Sequence, residues 1–202
     1  MKRRLEIALE SLEGFRNPKI KLEQYTTPAN LAGFILTNAE LFGDLMTVFD
    51  LGCGTGILAI GSALLGAYSV GVDVDWEALR IARANAEKLG VSVDFVACDV
   101  RNLELRRRVT VVMNPPFGIQ RRHADRPFLE KALEIADTIY SIHSAESEVF
   151  VRKMAEERGF RITHVWRFII PLKRTYSFHE KAFKYIPVEV YRIERDDSIS
   201  RR

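Results

Sequence analysis

The sequence predicts an α/β fold with a doubly wound, mostly parallel seven-stranded sheet, in a single domain spanning residues 1–202. Three observations support this prediction. Short apolar segments rich in β-branched residues alternate along the chain with helical segments, as they do in parallel sheets. A glycine-rich turn at residues 52–56 joins the first strand to a helix. Acidic residues follow the ends of successive strands, and this is the edge at which open parallel sheets bind ligands.

The expected elements follow one another in a simple order. Residues 1–27 are expected to form an amino-terminal extension, with a short helix at 5–12 and an extended segment at 19–27, before a helix at 28–42. Strands are expected at 48–51, 69–74, 93–97, 109–113, 139–142, 161–171 and 186–194. Further helices are expected at 57–65, 76–89, 125–137 and 145–158. The long loop between the last two strands suggests an antiparallel edge strand.

Composition gives only coarse limits on function. The formal net charge of +3 is too small to indicate a nucleic-acid partner by itself. Cys53 and Cys98 lack the paired spacing of a disulfide framework or a zinc site, so we expect a reducing environment and no bound metal. No apolar run has the length or position of a signal peptide or a membrane span. A soluble cytoplasmic protein is therefore expected.

The first strand ends in the sequence Asp-Leu-Gly-Cys-Gly-Thr-Gly, which leads directly into a helix. Glycines at alternate positions allow a ligand to approach the backbone closely. A dinucleotide cofactor is the obvious competitor, but Ala59 stands where a dinucleotide site would have its third glycine. The leading carboxylate would also repel a pyrophosphate. We therefore favour the sulfonium of S-adenosylmethionine, with candidate contacts from Asp50, Gly52, Gly54 and Gly56.

Two further carboxylates follow the next two strands. Asp73 comes about 20 residues after the glycine-rich turn, the separation at which doubly wound folds place an acid on ribose hydroxyls. Asp99 ends the third strand and can accept a hydrogen bond from the adenine amino group of the cofactor. Each acid alone could be a helix cap or a turn residue. Three acids at successive strand ends favour a cofactor site.

The tetrad Asn114-Pro115-Pro116-Phe117 follows the fourth strand. Its prolines stiffen the turn and fix the directions of the asparagine side chain and the Pro115 carbonyl. These two acceptors can hold both N–H groups of a planar amine, while Phe117 offers a face on which a ring can stack. Such an amine loses its proton easily once alkylated, so no strong general base is needed. A plain turn with a core phenylalanine is the alternative, which the neighbouring donor loop disfavours.

A base must be unpaired or flipped out of a helix to reach the tetrad. Two loops, at residues 118–126 and 173–185, interleave basic with aromatic side chains, a pattern typical of single-strand recognition. A solvated edge loop is the alternative for each. The candidate substrate-binding residues are Arg121, Arg122, Tyr176, Phe178, His179 and Lys181. His143 and His164 are interpreted as structural histidines.

The sequence resembles the methyltransferase-like protein five group of ribosomal RNA adenine-N6 methyltransferases and their prokaryotic relatives over nearly the whole chain. The residues that carry this resemblance are 22–28, 50–56, 71–75, 98–100, 113–118, 140–143 and 178–181. The tetrad is shared with many amino-methylating enzymes, whereas residues 22–28 and the Tyr-Ser-x-His sequence are more specific. Thr26 stands where relatives often have proline, and Thr55 where some have cysteine.

The resemblance implies a Rossmann-like class I fold, S-adenosylmethionine as the methyl donor and S-adenosylhomocysteine as its product. It implies that Gln24, Tyr25 and Thr27 close over the donor and that the tetrad receives an adenine of small-subunit ribosomal RNA. The residues it implies around the donor are Gly52, Thr55, Ile57, Asp73, Asp99 and Val100. A small zinc-binding activator protein is also implied, and an apolar third strand at an open sheet edge would suit such a partner.

Other acceptors and another class of protein remain open. Guanine N2 in RNA, or the side-chain amide of a protein glutamine, would also fit an Asn-Pro-Pro-aromatic tetrad, and Phe117 only tilts the choice towards a base. A non-catalytic RNA-binding module with a vestigial pocket is a third interpretation, which the intact acids and tetrad disfavour. No feature of the sequence identifies the target nucleotide.

Overall fold

The structure is a computed structural model that describes residues 1–105, 108–118, 122–173 and 183–196. Its strands are β1 Thr47–Leu51, β2 Tyr68–Asp73, β3 Asp94–Ala97, β4 Val109–Met113, β5 Ala136–Ser144, β6 Phe160–Lys173 and β7 Phe183–Arg195. Its α-helices are α1 Lys2–Glu10, α2 Ala29–Leu41, α3 Ile57–Leu64, α4 Trp76–Lys88, α5 Arg126–Ile135 and α6 Glu148–Glu157. Short 3-10 turns occur at Ile20–Leu22, Val100–Asn102 and Ala145–Ser147.

The described strands form one sheet in the order β3-β2-β1-β4-β5-β7-β6. Strands β1 to β5 are paired in parallel, and β7 runs antiparallel to both β5 and β6. This confirms the predicted doubly wound, mostly parallel seven-stranded sheet. The antiparallel strand lies one position inside the edge, because β6 folds back outside it. The strand order reverses between β1 and β4, which opens a crevice at their carboxyl ends.

Two apolar layers cover the sheet. In β1, Phe49 and Leu51 pack with one cluster, whereas Val48 between them packs with the other, as the twofold repeat of a strand requires. The first cluster includes buried residues of α5 and α6, and the second includes buried residues of α1, α2 and α3. The carboxyl edge of the sheet is therefore held between two packed layers.

Several expected boundaries shift in the structure. The segment 19–27 was predicted to be extended, but it contains the turn Ile20–Leu22, and Glu23 adopts a left-handed conformation with φ of 48°. The helix predicted at 125–137 ends at Ile135, because Ala136 already belongs to β5 and is fully buried there. The last helix starts later than predicted, after the turn Ala145–Ser147. No helix among the described residues is long and apolar enough to cross a membrane.

Candidate active site

A cavity of about 520 Å³ lies at the carboxyl ends of β1, β2 and β4. Its inner wall is formed by residues of the glycine-rich turn and by the strand ends, and residues 21–27 of the amino-terminal extension line it as well. The predicted cofactor residues that line this cavity are Gln24, Tyr25, Thr27, Asp50, Gly52, Gly54, Thr55, Ile57, Asp73, Asp99 and Val100. Gly56 is absent from the lining, and it instead precedes α3 with φ of 90°.

The glycine-rich turn depends on backbone conformations that other residues rarely adopt. Gly54 has φ of 52°, and a Cβ atom there would lie 2.6 Å from Cζ of Phe15. The Gly54 N–H donates a hydrogen bond of 2.8 Å to the Asp73 carboxylate. The absence of a side chain therefore lets an aromatic ring from the amino-terminal extension and a carboxylate from β2 both contact this turn.

Asp73 is held by the backbone on both of its oxygens. Oδ2 accepts the N–H of Gly54, and Oδ1 accepts the N–H of Asp75 at 2.8 Å. Burial raises the pKa of Asp73 above its ordinary value, although these hydrogen bonds oppose the rise. Each carboxylate oxygen has a second lone pair, so the fixed carboxylate keeps the capacity to accept hydroxyl donors from the cavity.

Asp50 lies deeper in the same wall and is almost completely buried. Its Oδ2 accepts the N–H of Ala59 at 3.0 Å, in the first turn of α3. Burial raises the pKa of Asp50 to about 8; the hydrogen bond from Ala59 opposes this rise, and the negative charge of Asp73 adds to it. A buried carboxyl group of this kind would gain from a positively charged ligand, because such a charge favours its ionised form.

Asp99 is fixed by a neighbour that the sequence did not single out. Arg101 donates Nε to Asp99 Oδ1 at 2.9 Å, and its guanidinium also pairs with the second oxygen. The hydrogen bonds from Arg101 lower the pKa of Asp99 to about 2. Asp99 therefore faces the cavity as a carboxylate that is always ionised near neutral pH, beside the buried side chain of Val100.

The amino-terminal extension is tied to the sheet edge by polar contacts. Asp75 accepts Nζ of Lys19 and Nε2 of Gln24, each at 2.7 Å, and it also caps α4 through the N–H of Glu77. The Gln24 side chain also accepts the backbone N–H of Lys19 at 2.7 Å. These bonds explain why residues 19–24 form a compact turn rather than the predicted extended segment.

The tetrad has an oriented asparagine. Asn114 Nδ2 donates to Thr27 Oγ1 at 3.0 Å, and among the described residues its Oδ1 is buried without a hydrogen-bond partner. Asn114 and Pro116 line the cavity, whereas Pro115 and Phe117 do not. Phe117 stacks on Tyr25 with ring centroids 6.3 Å apart and planes 20° apart. At the point where the sequence predicts the amine, a residue of the cavity lining therefore carries a buried acceptor without a partner among the described residues.

The predicted substrate-binding residues fall into two groups. Arg122 lines the mouth of the cavity and is exposed. Arg121, Tyr176, Phe178, His179 and Lys181 lie outside the described residues.

Sequence reasoning missed several residues of the cavity. Phe15 and Phe128 line it, and Cε1 of Phe128 would lie 2.9 Å from a Cβ atom at Gly52. Asn85 lies behind the wall and donates a hydrogen bond to the carbonyl of Thr55 at 3.0 Å. Only Asn85 left a signal in the sequence, because it interrupts the alanine-rich buried face of α4 with a polar side chain. The two phenylalanines resemble ordinary core residues.

The residues present fit S-adenosylmethionine. The cavity volume is within the range of about 300–1,000 Å³ that is typical of small-molecule sites. A buried carboxyl group with a raised pKa suits a cationic donor, and the glycine-rich turn leaves space for close backbone approach. Asp73 and Asp99 supply acceptors suited to ribose hydroxyls and an adenine amino group. We assign this region as the candidate donor site.

Comparison with known proteins identifies the class of enzyme. The structure aligns with the crystal structure of a Pyrococcus horikoshii protein described as a candidate RNA methyltransferase, with a TM-score of 0.89, 44% identity and coverage of 96% of this chain and 98% of that one. A magnesium protoporphyrin IX methyltransferase from Synechocystis, solved with bound S-adenosylmethionine, shares the fold with a TM-score of 0.64 at 20% identity, over 82% of this chain and 78% of that one. The chain is a class I methyltransferase, an enzyme of the group that uses S-adenosylmethionine as its methyl donor.

Sequence comparison identifies the family. The rRNA N(6)-adenosine-methyltransferase METTL5 of Danio rerio is 37% identical over 93% of this chain and 96% of its own length, and the Drosophila melanogaster enzyme is 37% identical over 95% of each. An uncharacterised protein of Methanocaldococcus jannaschii is 44% identical over 96% of this chain and 94% of its own length. The profile of the ribosomal protein L11 methyltransferase family (PrmA) matches residues 30–114. The chain belongs to the METTL5 family of rRNA N6-adenosine methyltransferases, as its resemblance implied.

Proposed function

We propose that this chain transfers a methyl group from S-adenosylmethionine to N6 of an adenine in small-subunit ribosomal RNA, and that it acts in the cytoplasm. The observation that carries the proposal is that Asn114 lines the cavity, that its Oδ1 is buried without a hydrogen-bond partner among the described residues, and that Thr27 holds the other end of the amide. The near full-length similarity to rRNA adenine methyltransferases supports the choice of acceptor.

The residues act mainly by orientation in this proposal. The bound donor supplies a methyl group made electrophilic by its positive sulfur. Asn114 Oδ1 accepts one N–H of the adenine amine, which orients the nitrogen lone pair towards the donor. The Pro115 carbonyl, predicted to accept the other N–H, belongs to a residue outside the cavity lining. The methylated amine releases its extra proton to water, because its pKa is far below neutral once it is alkylated.

The mouth of the cavity offers positive charge for a phosphate backbone. Lys21 and Arg122 line it and are exposed, and neither belongs to an ion pair within the described part of the chain. Arg101 and Arg126 also line it, but they are paired with Asp99 and Glu130. Two uncommitted cations beside an aromatic-lined cavity favour single-stranded RNA over a small neutral substrate.

Alternative acceptors have weaker support. The tRNA (guanine(10)-N2)-dimethyltransferase of Methanothermobacter thermautotrophicus is 31% identical over only 46% of this chain. The match to the L11 methyltransferase profile stops at residue 114, before the prolines of the tetrad. The profile match therefore covers the glycine-rich turn and Asp73 but not the prolines of the tetrad, and the tRNA methyltransferase matches less than half of the chain. Guanine N2 remains the second candidate because it is also a planar exocyclic amine.

The decisive experiment uses labelled S-adenosylmethionine and RNA. The purified chain would be incubated with total RNA and, separately, with ribosomal subunits and ribosomal proteins, followed by nucleoside and amino-acid analysis. We expect labelled N6-methyladenosine in small-subunit ribosomal RNA, and no label with the Asn114→Ala variant. Labelled N2-methylguanosine would support the second candidate, and label only in protein would refute an RNA acceptor.

We also propose that a small zinc-binding activator protein docks along β3. This strand lies at the sheet edge, and its residue Val96 is exposed, as are Tyr68 of β2 and Trp76 of α4. Such an edge offers unpaired backbone groups together with apolar side chains, which favours strand addition. A Val96→Asp variant should lose the activator in co-purification. Identical solubility and activity of the wild-type chain with and without the activator would contradict this part of the proposal.

A further inference from the structure

Three buried polar side chains form a hydrogen-bonded chain beside the cavity. Ser141 Oγ lies 2.7 Å from His143 Nε2, and His143 Nδ1 lies 3.1 Å from Asp125 Oδ2. The exposed fractions of these residues are 0%, 1% and 7%. Because a carboxylate only accepts hydrogen bonds, Nδ1 of His143 is the donor to Asp125, which leaves Nε2 to contact the Ser141 hydroxyl.

The order serine, histidine, aspartate is the one that hydrolases use to activate a nucleophile. That chemistry requires the hydroxyl to reach a substrate. Ser141 is completely buried, and neither it nor His143 lines the cavity. These hydrogen bonds must therefore have a structural role. Ser141 and His143 belong to β5, whereas Asp125 lies outside it, before α5.

Asp125 lies inside a segment that otherwise faces the cavity. The residues of this segment that line the cavity are Arg122, His123, Ala124, Arg126, Pro127 and Phe128. Asp125 is the exception, since its side chain turns towards β5. It precedes α5 but forms no side-chain hydrogen bond to cap that helix, so its hydrogen bond with His143 is an anchor between the segment and the sheet.

The segment needs such an anchor. His123 adopts φ of 61°, a conformation that is strained for a residue with a side chain and persists only where the surroundings hold it. Its ring packs on Phe150 of α6, with centroids 5.8 Å apart. The negative charge of Asp125 is also favoured at the start of α5, where backbone N–H groups point outwards. Asp125 thus joins a strained turn, a helix start and a buried histidine.

We propose that His143 is a positioning residue that, through Asp125, fixes segment 122–128 in the conformation that receives the acceptor RNA. The proposal rests on the RNA methyltransferase function proposed above, and it gives a role to the Tyr-Ser-x-His sequence of β5. His143 touches no substrate. Through Asp125, it determines the positions of the Arg122 and Phe128 side chains in the cavity lining.

Two isosteric variants test this role. In His143→Asn the amide occupies the place of Nδ1, and it can still donate to Asp125. In His143→Gln the amide occupies the place of Nε2, so the contact with Ser141 is kept and the anchor is lost. We expect His143→Gln to raise KM for RNA about tenfold and His143→Asn to stay within about twofold of wild type. The affinity for S-adenosylmethionine should change less than KM for RNA in both.

Hydrogen exchange gives a readout that does not depend on activity. Amides of residues 122–130 should exchange about tenfold faster in His143→Gln than in His143→Asn or wild type, with β1 and β4 unchanged. Thr110→Val is the matched control, because it removes a partly buried hydrogen bond, to the carbonyl of Asp44, between two residues outside the cavity lining. Equal exchange and equal KM in the two His143 variants would overturn the proposal. Faster exchange in an enzyme that methylates no RNA would uphold the anchor and refute the proposed function instead.

Discussion

Asn85 and Glu13 exchange two hydrogen bonds although 72 positions separate them in the chain. Asn85 Oδ1 accepts the backbone N–H of Glu13, and Nδ2 donates to its carbonyl, each at 2.9 Å. The same Nδ2 donates to the carbonyl of Thr55 at 3.0 Å. One buried side chain of α4 therefore joins the amino-terminal extension to the glycine-rich turn of the donor site.

Replacing Asn85 should damage stability and donor binding together. Asn85→Ala leaves three backbone groups without their partner, so we expect a loss of about 2–4 kcal/mol in the free energy of unfolding and about tenfold weaker donor binding. Denaturant titration and calorimetry would measure the two effects. Asn38→Ala is the control, since within the described part of the chain the Asn38 side chain bonds only to the carbonyl of Phe34 in α2. Unchanged donor affinity in Asn85→Ala would contradict the proposed link.

Asn114 and Thr27 should affect methyl transfer rather than donor binding. Asn114→Ala removes the proposed acceptor of the amine, and kcat should fall by at least about 100-fold, while donor affinity stays within about threefold. Thr27→Val keeps the shape but releases the Asn114 amide, so an intermediate loss of kcat is expected. Single-turnover assays would separate chemistry from binding. A parallel loss of donor affinity in Asn114→Ala would show that the asparagine acts on the donor site instead.

Replacing Asp73 should weaken donor binding and have little effect on kcat, in contrast to the replacement of Asn114. Asp73→Ala removes the acceptor for the N–H groups of Gly54 and Asp75 and the proposed contact with ribose hydroxyls, so donor affinity should fall by about 10- to 100-fold. At saturating donor, kcat should recover most of its wild-type value. Isothermal titration with S-adenosylhomocysteine gives the affinity without turnover. A variant that binds donor normally but transfers no methyl would refute this assignment.

Gly54 should tolerate no side chain. Gly54→Ala combines a positive φ with a collision against Phe15, so donor binding should be lost. Gly43→Ala is the matched control, because φ is 76° there but, apart from its chain neighbours, no described residue has an atom within 4 Å of the added Cβ. The control should lose only about 1 kcal/mol of stability and keep its donor affinity. Partial recovery in the double variant Gly54→Ala, Phe15→Ala would locate the collision.

Asp50 predicts a pH dependence of donor binding. Its pKa of about 8 means that the carboxyl group is largely protonated at neutral pH before the cationic donor binds. Binding of the cationic donor favours the ionised form of Asp50, so the protein releases protons when it binds donor below pH 8. Donor affinity should therefore rise with pH up to about 8 and then level off. Calorimetry in buffers of different ionisation enthalpy would detect this release. Asp50→Asn should remove it while keeping an acceptor for the N–H of Ala59.

The raised pKa of Asp50 also determines whether the stability of the donor-free protein rises or falls with pH. The folded chain retains its proton at pH values where the carboxyl group of the unfolded chain, with a pKa of about 4, has lost it. Stability of the donor-free protein should therefore fall as pH rises from about 4 to 8, and it should change less in Asp50→Asn. A donor-free protein whose melting temperature rises over that interval would contradict the raised pKa.

The elements predicted correctly from the sequence are those whose conformation depends mainly on neighbouring residues. Residues 109–113 form β4 as predicted, because a run of apolar β-branched residues between polar turns is compatible with little else. The carboxylates at the ends of β1 and β2 meet because parallel strands end at the same edge. The turn at 20–22 was missed, since the hydrogen bonds from Lys19 and Gln24 that hold it go to Asp75, far along the chain.

The same distinction explains the site residues. Asp50, Asp73 and Asn114 were predicted because each directly follows or ends a strand, a place that sequence can identify. Phe15 and the bond between His143 and Asp125 were not, since the first is an apolar residue like many in the core and the second joins groups 18 positions apart. Contacts between distant segments have no periodic signature, so only coordinates reveal them.

The polar contacts that hold residues 19–24 of the amino-terminal extension have a consequence for the exchange of donor between catalytic cycles. No residue of the turn Ile20–Leu22 is buried, and the bonds of Lys19 and Gln24 to Asp75 lie near solvent. Residues 19–24 can therefore open by breaking a few polar contacts, while α1 to α3 stay packed on the sheet. S-adenosylhomocysteine can then leave and S-adenosylmethionine can enter while the sheet that positions Asn114 stays unchanged.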